Sequence, residues 1–99
     1  PPNQEAVPGQ ATVISTWNHG LQANAKAWEV LQAGSSALDA AEQGVRVVED
    51  DPENQSVGLG GRPDRDGKVT LDACIQDHNS NCGAVSFLQH IKLIKLYIL

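Results

Sequence analysis

Between Ser56 and Gly67 the sequence reads SVGLGGRPDRDG, a stretch that no helix or long strand can run through. Its four glycines loosen the backbone, Pro63 fixes it, and no apolar periodicity crosses the segment. Around it the predicted order of elements in the chain of 99 residues is strand, helix, helix, loop, strand, strand. A chain of this length makes one domain at most and buries only about 60 to 70 % of the surface its unfolded form exposes. With 40 % hydrophobic and 4 % aromatic residues, its core must come from Val, Leu, Ile and Ala, which suits an α/β layer.

Ahead of the loop, the proline-containing PPNQEAVPGQ reads as a flexible lead-in over residues 1–10. ATVIST, Ala11 to Thr16, has the β-branched density of a strand buried on both faces. Trp17 ends it, and Asn18, His19 and Gly20 form a turn. Leu21, Ala25, Trp28 and Leu31 then fall on one helical face, predicted to be the buried one, and Gly34 stops the helix. Ser36 with Asp39 resembles a capping box at the head of a second helix, whose predicted buried stripe is Ala40, Ala41, Val45 and Val48. Gly44 within that helix permits close packing, and Pro52 ends the helical run by Asp50.

Behind the loop, Asp66-Gly67 is a hairpin-turn signal. VTLDACIQD alternates Val69, Leu71, Ala73 and Ile75 against Thr70, Asp72, Cys74 and Gln76, as a strand with one apolar face does. His78 to Gly83 reads as a second turn, and Ala84 to Lys92 begins another strand or a helix.

A net charge of −5 with seven scattered basic residues argues against a nucleic-acid partner, which needs clustered Lys and Arg. No run of about twenty apolar residues spans a bilayer, and no signal segment opens the chain. The apolar, β-prone IKLIKLYIL at Ile91 to Leu99 is an unusual way for an intact domain to stop, which suggests a processed or partial product.

The chemical motifs are thin. GLGG, with Gly58, Gly60 and Gly61, lacks the third spaced glycine and the strand-to-helix setting of a dinucleotide loop. Asp64, Asp66 and Gly67 resemble part of a calcium loop, but Arg62 stands at the first ligand position and Ala73 at the closing one. Cys74, Asp77, His78 and Cys82 match no zinc spacing, so no metal is assigned. Two cysteines do not make a disulfide framework and leave the redox compartment open. Asn54-Gln55-Ser56 is a glycosylation sequon by letter, in a loop that a glycan would crowd. His19 has no sequence-adjacent acid or nucleophile, and its default role is in the turn. Trp17, at the end of a predicted strand and before a turn, lies where α/β folds hold ligands, and core packing would account for it as well.

Four segments carry a family resemblance: STWNHG, AWEVLQAGSSALDAAEQGVRVVEDDP, SVGLGGRPDRDGKVTLDACIQD and GAVSFLQHIK. From about Val13 to Lys92 the chain resembles the N-terminal part of the glycosylasparaginases, or aspartylglucosaminidases, which are N-terminal nucleophile hydrolases. Plant-type asparaginases share the segment from Ser36 to Pro52 but continue with an NAGxGS-type loop, where this chain has SVGLGGRPD.

The resemblance implies part of a four-layer αββα sandwich, made as a precursor that cuts itself to expose an N-terminal threonine. That threonine, with its own α-amino group as base, cleaves the amide of N4-(β-N-acetylglucosaminyl)-L-asparagine in glycoprotein breakdown, without a cofactor. By resemblance Trp17 lines the substrate pocket and Ser56 brings a hydroxyl to it. His19 stands two residues after the tryptophan, where an aromatic is common. Gly58, Gly60, Gly61 and Asp72 match architectural positions. The threonine in its HDTIG-like context is not among these residues and would lie beyond Leu99. In place of the family's NPIxVAR-like helix the chain has Leu93 to Leu99, LIKLYIL.

The expected organisation is thus a lead-in over 1–10, a glycosylasparaginase-like portion over 11–92 and an atypical tail over 93–99. The expected partners are a glycosyl-asparagine substrate and the C-terminal β part of the same precursor, in a periplasmic or secreted setting for bacterial relatives and a lysosomal one for animal relatives. The chain alone is expected to be inactive. The alternatives are a non-catalytic truncated product that pairs with another subunit, and a plant-type L-asparaginase or isoaspartyl peptidase relative.

Overall fold

The structure is a computed structural model, and residues 10–89 are described. Its elements are helices α1 (Gly20–Gln32) and α2 (Ala37–Glu49), a short 3-10 turn at Gly58–Gly60, and strands β1 (Leu71–Gln76) and β2 (Cys82–Leu88). Two helices and a two-stranded antiparallel sheet make a mixed α/β arrangement. The expected lead-in and tail lie almost wholly outside the described residues.

Both helices end where their local chemistry directs. Gly34 takes φ +87°, a value that costs an L side chain its Cβ clearance. Around it Gly34 N–H donates to the Leu31 carbonyl at 3.0 Å and Ser35 N–H to the Val30 carbonyl at 3.3 Å, the paired bonds of a Schellman close. Ser36 caps α2 with its hydroxyl, which accepts from Asp39 N–H at 3.1 Å. Ser36→Ala removes that acceptor and is expected to lower stability by about 1 kcal/mol, read as a lower urea midpoint with an unchanged m-value.

The buried face of α1 differs from the predicted one. Leu21 and Trp28 are 76 % and 46 % exposed and Ala25 is exposed, while Gly20 and Ala27 are buried and Ala23 and Leu31 half-buried. Close approach between the helices decides the matter. A Cβ at Gly44 would meet the Ala23 carbonyl oxygen at 2.8 Å and the Ala27 Cβ at 3.3 Å, so the contact is built from small residues. Leu21 and Trp28 are turned away from it. In α2 the buried stripe runs Ala40, Gly44 and Val48 at intervals of four, and the predicted members Ala41 and Val45 are exposed. Glu42 is also buried, at 1 % exposure, with its Oε1 3.5 Å from the Arg46 guanidinium and without a hydrogen-bond partner among the described residues.

The predicted strand at Ala11 to Thr16 is irregular in the structure. A strand buried on both faces needs neighbours in a ladder, and among the described residues the only ladder joins β1 to β2. The segment instead lies beside the helices, where the Ser15 hydroxyl donates to Asn24 Oδ1 and Ile14 is 91 % exposed.

After the glycine loop, Asp64 holds the turn at Asp66-Gly67, its carboxylate accepting from Asp66 N–H at 2.8 Å and Lys68 N–H at 3.0 Å. This turn leads into β1, and the hairpin itself closes further on, around Asp77 to Asn81. The Asp77 carboxylate accepts from the backbone N–H groups of Asn79 and Asn81, both at 2.9 Å, and from the Asn81 side-chain amide at 3.0 Å. These bonds to Asn81 and Asn79 hold its carboxyl below the usual range. The predicted second turn ends early, because Cys82 and Gly83 already pair with Gln76 and Ile75. From Ala84 the chain continues as strand to Leu88, and His90 to Lys92 lie outside the described residues.

Near the open end of the hairpin the register slips between Leu71 and Ala73, so that Ser86 and Phe87 face Asp72. Phe87 sits at φ +59°, and its N–H donates to Asp72 Oδ1 at 3.2 Å, which seats the bulge.

Candidate substrate cavity

The loop that follows α2 is fixed by short-range acceptors. Asp51 Oδ1 takes the Glu53 N–H at 2.9 Å, and Asn54 Oδ1 takes those of Ser56 at 2.9 Å and Val57 at 3.2 Å. Asn54 of the sequon is therefore engaged in turning the chain. Gly58, buried at φ +65°, then passes so close to the Glu49 backbone that a Cβ there would overlap it. This places Ser56, exposed, beside the end of α2.

The result is a cavity of about 590 Å³ between the start of α1, the end of α2, the glycine loop and the open end of the hairpin. Its walls include His19, Glu49, Ser56, Gly58, Asp72 and Cys74. Of the residues singled out in the sequence, His19, Ser56, Gly58 and Asp72 are thus brought together, although up to 53 positions separate them in sequence. Asp72 both faces the cavity and seats the bulge. Gly60 and Gly61 stand outside the lining: a Cβ on Gly60 would run into the Pro52 and Asn54 carbonyls, and one on Gly61 would touch Val69 and Leu71. Trp17 is 82 % exposed, at φ +64°, between Thr16 and His19, which both line the cavity.

Glu49 is the wall residue that the sequence did not single out. It looks like an ordinary acid in the last turn of a helix, and in the structure it is half-buried and lines the cavity where Gly58 packs on its backbone. Burial, reinforced by the neighbouring Asp50 charge and opposed by Arg46, pushes its carboxyl up from the ordinary 4.5. A raised carboxyl pKa means that the folded state holds its proton more tightly than the unfolded state. Stability is unaffected by this group below about pH 4.5, falls as pH climbs from there through the raised value, and stays lowered above it. Glu49→Gln is therefore expected to raise the urea midpoint at pH 7 more than at pH 4. Equal shifts at both pH values would show that the carboxylate is solvated.

Among the described residues no hydrogen bond joins His19 to Ser56, so the two are not coupled as base and nucleophile. Nor do three His, Cys, Asp or Glu side chains converge as a metal site among those residues. The arrangement offers a hydroxyl, an imidazole and carboxylates around a partly apolar space, suited to holding a polar ligand.

The family model described as Asparaginase matches residues 8–94. The chain is 66 % identical over 80 residues to an N(4)-(beta-N-acetylglucosaminyl)-L-asparaginase of Elizabethkingia miricola, covering 81 % of this chain and 24 % of that protein. It is 44 % identical over 81 residues to the enzyme of the same name from Mus musculus, covering 81 % and 23 %. A probable isoaspartyl peptidase/L-asparaginase 3 of Arabidopsis thaliana is 36 % identical over 81 residues, covering 81 % and 22 %. The chain spans about a quarter of the length of these relatives. It belongs to the asparaginase family, with the glycosylasparaginases of the N-terminal nucleophile hydrolases.

Proposed function

We propose that these residues form one wall of the substrate pocket in an amidohydrolase that cleaves N4-(β-N-acetylglucosaminyl)-L-asparagine. The observation that carries this is the convergence of Ser56 and His19 on one cavity, in a chain 66 % identical to an enzyme named for that bond. In this reading the helix pair and the hairpin belong to two layers of a four-layer αββα sandwich. The C-terminal part of the precursor supplies the rest of it.

An N-terminal threonine in that part attacks the side-chain amide, with its own amine as base. Ser56 places its hydroxyl beside the reacting amide, His19 and Trp17 border the opening, and Asp72 and the loop glycines hold the wall in shape. No such threonine in an HDT-like context occurs among the 99 residues. Turnover therefore requires the complete enzyme.

The test is a substrate panel on that complete enzyme: glycosyl-asparagine, free asparagine and a β-aspartyl dipeptide, compared by kcat/KM. Preference for glycosyl-asparagine supports the proposal. Preference for either of the other two substrates would favour the activity in the name of the Arabidopsis relative. The 99-residue chain alone is expected to turn over none of the three, and measurable hydrolysis by it would contradict the assignment of the nucleophile to another part.

A further inference from the structure

Two carboxylates, Glu49 and Asp72, stand in the wall of the cavity that Ser56 also lines. Asp72 is committed within the chain, its Oδ1 taking the Phe87 N–H at 3.2 Å. Glu49 is half-buried and has neither a hydrogen bond nor an ion pair of contact length among the described residues. Helix α2 supplies one cation, Arg46, and that is shared. Glu42, Arg46 and Glu49 follow one another on a face of α2 at intervals of four and three. The Arg46 guanidinium lies 3.5 Å from Oε1 of the buried Glu42. The burial of both acids comes from this chain's own residues, so the remainder of the enzyme adds to it.

The proposed reaction changes the charge of its ligand at one point. The substrate side chain ends in a neutral amide, and that of the product, aspartate, ends in a second carboxylate. A new anion in the half-buried cavity that holds Glu49 meets like charge, which a proton on Glu49 relieves.

We propose that Glu49 separates product from substrate: its ionised carboxylate tolerates the neutral amide and expels aspartate, which stays bound only when Glu49 takes up a proton from solvent. This rests on the cavity being the substrate site. The proton joins a Glu49 carboxylate oxygen as aspartate binds and returns to solvent as it leaves. Burial already pushes this carboxyl up from the ordinary 4.5, with Asp50 adding to the effect and Arg46 opposing it. The other titratable groups of the cavity wall are His19 at the head of α1 and Asp72 and Cys74 on β1. Because the complex holds more protons than the free protein, affinity for aspartate rises as pH falls and is lost as pH climbs.

The experiment measures aspartate binding to the complete enzyme by calorimetry from about pH 5 to about pH 7, above the ordinary glutamate range. Buffers of different ionisation heat report the protons exchanged, and backbone amide shifts are followed in parallel. The expected result is net proton uptake and an affinity that weakens by up to about tenfold per pH unit, the limit for one linked proton. Glu49→Gln, neutral throughout, is expected to bind aspartate without proton uptake and with an affinity independent of pH. His19→Gln is expected to keep the uptake. Binding by the parent without proton uptake, uptake unchanged in Glu49→Gln, or uptake lost in His19→Gln would each overturn the proposal. Absence of aspartate binding, with the amides of His19 and Ser56 unmoved, would instead overturn the reading of the cavity on which it rests.

Discussion

Gly58→Ala is expected to lower the stability of the chain by about 2–5 kcal/mol. Forcing an L residue into the left-handed region costs about 1–2 kcal/mol, and overlap with packed surroundings adds about 1–3 kcal/mol. Gly58 incurs both, because its φ is +65° and its added Cβ overlaps the Glu49 backbone. Gly34→Ala isolates the first part: its φ is +87°, but nothing lies within 4 Å of the added Cβ. Urea unfolding of the two variants should therefore show Gly58→Ala clearly the more damaging. Equal losses would mean that the glycine loop does not pack on the end of α2, and the cavity would lose the wall that carries Ser56.

Ser56→Ala is expected to leave the fold intact and to lower kcat/KM of the complete enzyme for glycosyl-asparagine by about 30-fold. A hydrogen bond to a charged centre contributes about 2 kcal/mol, and each 1.36 kcal/mol is about tenfold in rate. The stability of the variant should match the parent, because the turn at this point is held by the Ser56 backbone N–H on Asn54, which alanine retains. A fall confined to KM would place the hydroxyl on ground-state binding, and a fall in kcat would place it on the developing charge. Asn54→Ala should produce a loss as well, with the difference that its unfolding midpoint drops too.

What could be read in advance was what is decided locally. Ser36 as a cap and the alternation of Leu71, Ala73 and Ile75 each depend on neighbours a few positions away. The face of α1 was not legible, because Leu21 and Trp28 dominate any apolar pattern while the helix contact is built on Ala23, Ala27 and Gly44. ATVIST has the residues of a strand, but a ladder is a non-local fact that β-branched density does not contain. The end of the second turn was misplaced for a similar reason: Asn81, Cys82 and Gly83 look alike as turn formers, and only pairing with Ile75 and Gln76 separates them.

The site divides in the same way. Ser56, His19, Gly58 and Asp72 came from a family resemblance, and the cavity that joins them is set by the close pass of Gly58 over α2. Glu49 and Cys74 had no sequence signal of a wall position beyond the apolar VV before the acids and the alternation of β1.

The cavity as the substrate site is tested most directly by titrating the complete enzyme with aspartate, the product of the proposed reaction, while following backbone amide shifts. The account predicts saturable shifts concentrated at His19, Ser56 and Gly58 and at the open end of the hairpin around Asp72. Shifts confined to a second groove, which Thr12 to Ser15 line together with Ala27, Ala40 and Gly44 of the helix pair, with His19 and Ser56 unmoved, would contradict it.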